Sequence, residues 1–498
     1  MKYLQGIGFV LWIGAITVIY FCFPMLLENQ KAISDVSSAV LSLIMVSVSV
    51  PLIMAALGCI LPSGMILLKK GQWIKSGFNK IIWTGIYVCN SLFAIASIGF
   101  LLYVIIFEYI PKQFFNESTE VTSTNVRFAT YNASFDRRSA NVLPAQMAKG
   151  KNQQIKNVAE VIQRTRPDVL LLNEFDHDGI GEDTTVVRNF IDNFLKKSQN
   201  GAEAIDYPYF YIVPTNTGLA ESDFNNDGKV TTPNDAYGFG FYHGQYGFIV
   251  LSKYELDTDN LRSFQEFLWK DMPNAALPSN ADGSSYYSDN TLENFRLSSK
   301  NHLDLPVKIS KDKTIHLLAM HPTPPVFDGA EDRNGRRNHD EIRLFSDYIS
   351  DNDNKNTYLV DDQGNKGGLG ASESFIVVGD LNADPIDGDS YQYAIKQLLN
   401  HPRVAQEVAV GNRVPASKGG AGYATNKAFN GTPDYWTQVY PLRLDYVLPS
   451  VDLNVVDSGV YWQAAGENYR YLFENGAGEQ GKTVSSDHRL VWVDIKID

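Results

Sequence analysis

Six short segments of this chain place carboxylates, amides and imidazoles at separated points: TYN at 130–132, LLNE at 171–174, HPTPP at 321–325, GDLNADP at 379–385, RLDYVLP at 443–449 and SSDH at 485–488. Glu174 closes the apolar run PDVLLLNE. A carboxylate there is costly unless it reaches a sheet edge and binds something; otherwise it is a loop acid. Asn132 is a turn residue, the acceptor of an N-A-S glycosylation triplet, or a neighbour of Glu174. Asp380 and Asn382 stand two apart after FIVVG, and alternation in an extended chain aims both the same way. The alternative is an Asp/Asn turn before Pro385. His488 titrates near neutrality and suits proton transfer, provided a carboxylate orients it. Together these types fit phosphoester hydrolysis. That reaction needs charge neutralised on phosphoryl oxygens, a water activated and a leaving oxygen stabilised, and oxygen ligands suit a hard divalent cation.

The six segments occur in the order found in the endonuclease/exonuclease/phosphatase superfamily, the DNase I-like fold, which residues 125–498 resemble. The resemblance implies that Glu174, Asn132 and Asp487 hold Mg²⁺ or Mn²⁺. It implies that Asp380 and Asn382 position the attacking water and contact the phosphate, that Asp445 orients His488, and that His321 binds the scissile phosphate or stabilises the leaving group. His316, five residues earlier, is read as structural. The superfamily spans nucleases, sphingomyelinases and phosphatases, and fold does not choose among them. A nuclease-like phosphodiesterase is the first expectation. A phosphatase or a sphingomyelinase-like lipid phosphodiesterase is the alternative. A non-catalytic membrane receptor on the same scaffold would have lost some of these residues, and all are present.

The elements that position these groups are short. VRFATYN, PDVLLLNE, FIVLSKY (248–254), TIHLLAMH (314–321), SFIVVGDLN (374–382), LDYVLPS (444–450) and RLVWVDI (489–495) read as strands, and residues 153–165 have helical spacing. Strands outnumber helices, so the expected class is α+β, a two-sheet (four-layer) α/β sandwich with helices outside. Polar stretches at 176–235, 265–300, 350–373 and 460–484 read as loops. RNGRRNHDEIR (333–343) is a phosphate-contacting patch or a solvated helix start. DFNNDGKVTTPN (223–234) places Asp223, Asn225 and Asp227 as in a Ca²⁺ loop, but Asn234 replaces the bidentate Glu. A polar turn is the simpler reading.

The first 110 residues differ in kind. Residues 3–27, 36–68 and 81–107 carry no charge, and each run exceeds the roughly 20 residues that span a bilayer. Three transmembrane helices are expected, then a linker at 111–124 and the catalytic domain at 125–498. Lys69, Lys70, Lys75 and Lys80 lie between the second and third runs and place that loop in the cytoplasm. The catalytic domain then faces the periplasm or exterior of a cell membrane. Net charge is −13 overall; residues 1–124 hold seven lysines against five acids, which leaves −15 on the remainder. Such a balance argues against tight non-specific duplex binding without excluding a nuclease. Cys22, Cys59 and Cys89 all lie in apolar runs, so the catalytic part has no disulfide framework.

Overall fold

The computed structural model describes residues 124–497, except 225–226, 352 and 424–426. The expected transmembrane runs, and the linker up to residue 123, lie outside the described residues. Among the described residues no helix is long and apolar enough to cross a membrane.

Twelve strands follow in order: β1 (Thr124–Phe135), β2 (Val169–Phe175), β3 (Tyr209–Val213), β4 (Phe248–Ser252), β5 (Glu255–Leu256), β6 (Arg262–Ser263), β7 (His302–Lys308), β8 (Thr314–Met320), β9 (Phe375–Asp380), β10 (Asp445–Pro449), β11 (Asn454–Val460) and β12 (Val491–Ile497). They form two mixed sheets, ordered β11-β12-β1-β2-β4-β3 and β10-β9-β8-β7-β5, with β6 pairing β7. β1–β2 and β8–β9 are parallel and the other pairs antiparallel. Alternation sorts the side chains of the second sheet. Ile315, Leu317, Ala319, Ile376 and Val378 enter one core with β1 and β2. Leu318, Met320, Phe375 and Val377 enter a second core with Ile342 and Phe345 of an outer helix. This is the expected sandwich, the central strands β2, β4, β8 and β9 covered on both faces because they are apolar on both sides.

Helix α1 (Val142–Lys149) and α2 (Gln153–Thr165) precede β2. The Asn152 side chain accepts from the Ile155 N–H at 3.0 Å and starts α2. Arg166, left-handed at φ 51°, ends it just before Pro167, which cannot continue a helix. Helix α3 (Arg333–Tyr348) buries Ile342, Leu344 and Phe345 against the second sheet.

Three segments depart from the sequence expectation. The loop expected at 176–235 contains a helix, Thr185–Phe190, continuing as a π-turn over Ile191–Leu195, and also β3. Val186, Val187, Phe190, Ile191, Phe194 and Leu195 are all buried there, at helical spacing. β7 was hidden by Pro306. The proline is tolerated because β5 and β6 pair only with the two ends of β7, leaving no ladder partner to miss its N–H. The arginine-rich segment becomes α3, and its cations are used internally. Buried Arg337 donates to the Leu297 and Arg296 carbonyls, while Arg333 pairs Glu331 and Arg343 pairs Asp347.

Two residues yield stability predictions. Gly379 precedes Asp380 at φ 154°, and a Cβ there would lie 1.9 Å from the Met320 carbonyl oxygen. The close approach of β9 to β8 therefore demands glycine. Gly379→Ala should cost about 2–3 kcal/mol in denaturant unfolding, and an unchanged midpoint would refute the packing argument. His302 is fully buried; its Nδ1 lies 2.6 Å from Ser298 Oγ and its Nε2 2.8 Å from the Glu341 carbonyl. Burial lowers its pKa from 6.5 to about 4. The folded state thus holds fewer protons than the unfolded chain. The stabilisation is complete above about pH 6.5 and is lost as pH falls toward 4, by up to about 3 kcal/mol. Unfolding at pH 7 and pH 4.5 should show a smaller difference in His302→Gln than in the parent; equal differences would sink the assignment.

Candidate active site

The site lies along one rim of the sandwich. Residues reach it from the carboxyl ends of β1, β2, β8 and β9 and from the amino ends of β10 and β12. Register fixes two of the contacts. Asp380 and Asp445 are direct partners in the β9–β10 ladder. Asn132 faces Asn173 across β1–β2, and just beyond it β1 bulges, with Ser134 left-handed at φ 51°.

A buried polar cluster forms first. Asn132 Nδ2 donates to Asp380 Oδ2 at 3.0 Å. The Nε2 atoms of His321 and His488 approach the same oxygen at 3.5 and 3.6 Å. His488 Nδ1 lies 2.8 Å from Asp445 Oδ2, which also accepts from Thr437 Oγ1 at 2.7 Å. The Gln438 amide lies 2.9 Å from His488 Nε2. Asn132, His321, Asp380, Asp445 and His488 are all buried.

The two histidines are held in opposite states. Burial opposes charge on His488, but Asp445 and Asp380 outweigh it and raise its pKa to about 10. Burial, reinforced by Lys300 and His488, keeps His321 well below the usual histidine range, so it is neutral. Asp380 is pushed up by burial against the pull of His488. Lys300 is itself buried beneath this cluster and pushed down by burial. One histidine therefore carries a proton it can give, and the neighbouring carboxylate is tuned toward accepting one.

A second cluster lies beside the first. Glu174 is left-handed at φ 54° and half-buried at the end of β2. Its Oε2 lies 3.0 Å from Lys482 Nζ, which also meets Asp136 Oδ1 at 2.8 Å. Asp487 accepts from Ser134 Oγ at 2.6 Å. Burial raises Glu174, partly offset by Lys482. Asp487 is lowered despite burial, by His488 and Lys482. Ser486 ties the strands together: its Oγ donates to the Asn132 carbonyl at 2.6 Å and accepts from the His488 N–H at 3.0 Å. Behind it the fully buried Arg489 guanidinium donates to the Ser486 and His488 carbonyls.

All eight expected residues therefore lie at this rim, in two groups. Asn132, expected beside Glu174, turns its amide nitrogen to Asp380, and its Oδ1 accepts from the Ser134 N–H. Asn382 reaches the site otherwise than expected. β9 ends at Asp380, and Asn382 is left-handed at φ 52°, so strand alternation does not aim it. A turn does: its N–H donates to Asp380 Oδ1 and its Nδ2 to the Pro322 carbonyl, next to His321. Asp380, Asp445 and His488 also have ligand atoms within 4.8 Å of one another. There, His488 Nδ1 and Asp445 Oδ2 are committed to each other, which suits proton transfer better than ligation. Asp136, Lys482, Ser134, Thr437 and Gln438 were not visible in the sequence. Only a knowledge of which loops meet would single them out. The Asp223 carboxylate accepts from the backbone of Asp227 and Gly228, as a polar turn would, and Asn225 lies outside the described residues.

Six separated segments meeting at the rim of two packed sheets is the arrangement of the DNase I-like class. The chain belongs to the endonuclease/exonuclease/phosphatase family, whose model matches residues 129–488. Members of that family are in general phosphoester hydrolases. Among solved structures it is similar to beta toxin 275–280 from Staphylococcus aureus, at 14% identity over 74% of this chain and 99% of that chain, TM-score 0.36. It is similar to truncated Caenorhabditis elegans TDP2, at 14% identity over 75% and 98%, TM-score 0.37. It is similar to sphingomyelinase C from Streptomyces griseocarneus, at 13% identity over 75% and 99%, TM-score 0.36. No curated protein sequence matches it.

Proposed function

We propose that this chain is a divalent-metal-dependent phosphodiesterase, nuclease-like, whose catalytic domain works outside the cytoplasm at a membrane it is anchored to. The observation that carries the chemistry is the convergence of Asn132, His321 and His488 on one oxygen of Asp380, with Asp445 behind His488. The anchor and its orientation rest on the uncharged runs and the loop lysines.

The donor set suits a hard cation. Glu174, Asp487 and Asp136 offer carboxylate oxygens around a point that already accommodates the Lys482 ammonium, a cationic stand-in. Glu174 and Asp487, with Asn132 adjacent, would hold Mg²⁺ or Mn²⁺. Bound there, the ion would neutralise charge on the phosphoryl and leaving oxygens. The chain's own residues do the rest. Asp380, held by Asn132 and by the Asn382 N–H, orients the attacking water and takes its proton. Asn382 and neutral His321 face the phosphate. Protonated His488, braced by Asp445 and Thr437, donates toward the oxygen that departs. Burial excludes bulk water, which strengthens each of these interactions.

The full-length chain in detergent, assayed with and without EDTA on single- and double-stranded DNA, bis-p-nitrophenyl phosphate, p-nitrophenyl phosphate and sphingomyelin, tests the reading. Metal-dependent turnover of diesters is expected, with DNA preferred. Monoester turnover alone would make it a phosphatase, and preference for sphingomyelin a lipid phosphodiesterase. No turnover on any phosphoester would end the enzyme reading. For location, a reporter active only outside the cytoplasm, fused after residue 498, should be active.

A further inference from the structure

We propose that Lys482 is the resident counter-ion of the Glu174 pocket, exchanged for the divalent cation when the site loads, so that this one side chain sets metal affinity. The inference rests on reading Glu174 and Asp487 as the metal-holding residues.

Three acidic side chains, Glu174, Asp136 and Asp487, bear on one ammonium. Nζ is 3.0 Å from Glu174 and 2.8 Å from Asp136, while those side chains are only 17% and 21% exposed. Three carboxylates gathered at a partly desolvated rim repel one another unless something cationic lies among them. Lys482 supplies that charge. A dication coordinated by Glu174 would sit against the ammonium, and like charges at contact distance repel strongly where water is scarce. Both cannot occupy Glu174 Oε2, and a dication on the neighbouring oxygen would still repel the ammonium, so loading the site drives the lysine out.

The local structure allows this movement and confines it to the side chain. Lys482 follows Gly481, left-handed at φ 96°, in a turn closed by Val484 N–H to the Gly481 carbonyl at 3.0 Å. On one side Gln480 is held by Arg489; on the other Ser486 is bonded to the Asn132 carbonyl. The backbone is held on both sides of the turn as well, by the Glu474–Gln480 bridge and by the Val439 N–H donating to the Asp487 carbonyl. The lysine stem is a flexible four-carbon chain ending in a compact charge, and its side chain is 44% exposed, so the ammonium can swing to solvent. An arginine would be harder to displace, since its planar fork can engage two carboxylates at once.

Calorimetric titration of the full-length chain in detergent with MgCl₂ tests the exchange. Lys482→Met should bind Mg²⁺ at least tenfold more tightly than the parent, and Lys482→Arg should not gain. If Lys482→Met binds no tighter, the proposal is overturned. Glu174→Gln separates this from the underlying reading: unchanged Mg²⁺ affinity there means that the pocket is not the metal site, whatever Lys482 does. A second measurement uses the unaltered chain. Lysine acylation read by mass spectrometry should increase several-fold at Lys482 when Mg²⁺ replaces EDTA, with the exposed Lys418 as internal reference. Constant or reduced labelling would overturn the proposal even if the methionine variant failed to fold.

Discussion

Exchange of His488 for alanine should lower kcat for diester hydrolysis by about 10³- to 10⁴-fold, with KM changed little. His488 sits between two buried carboxylates, Asp445 at 2.8 Å and Asp380 at 3.6 Å, and in the proposed mechanism it holds the proton that the departing oxygen needs. Removing the ring deletes the donor and leaves the two carboxylates facing each other across the space, which disfavours ionised Asp380 as well. Asp445→Asn should be milder but of the same kind, because Thr437 still holds the side chain while the imidazolium loses its charged brace. A leaving group that needs no protonation, such as p-nitrophenolate, should recover much of the loss in His488→Ala. Equal losses on poor and good leaving groups would place His488 elsewhere in the reaction.

Chelation should remove at least as much. Without a divalent ion, an anionic diester would approach a rim lined by Glu174, Asp136, Asp487 and Asp380, with Lys482, His488 and Lys300 as opposing cationic groups. Several kcal/mol of charge neutralisation would be missing, which corresponds to about 10³–10⁴-fold or more in rate. EDTA should abolish turnover, and Mg²⁺ or Mn²⁺ should restore it. Glu174→Gln should need much more metal for half-maximal rate and, once saturated, should recover more activity than His488→Ala. Full activity in EDTA would exclude the metal-dependent reading.

These expectations draw on features of unequal visibility in the sequence. The strands beneath Asn132, Glu174, Asp380 and Asp445 announce themselves as short apolar runs, because a strand buried on both faces has no room for polar residues. Helix α2 shows its periodicity, whereas its Asn152 cap emerges only from the structure. β7 did not announce itself, because Pro306 reads as a breaker until the pairing shows that no neighbour needs its N–H. The site followed the same division. Each acid, amide or histidine that ends a strand was visible. Lys482, Asp136 and Thr437 lie on turns whose meeting is decided by tertiary packing, and nothing in GKT or YWT marks them. Asn382 was found by motif and misread in mechanism, since a left-handed turn rather than pleat direction aims it.

The pairing of β1 with β12 has a further consequence for the order in which the protein becomes competent. Thr124 lies opposite Ile497 and Thr130 opposite Val491, so the first strand of the domain is completed by the last. His488 and Asp487 stand at the start of that final strand, more than three hundred residues after Asn132 and Glu174. A nascent chain that has released β1 through β10 has Glu174, Asp380 and Asp445 but neither Asp487 nor His488, and its β1 pairs β2 while its other side still lacks β12. Contacts so distant in sequence also close slowly. Hydrolytic activity should therefore arise only once β12 has been made, as a single late event rather than in stages.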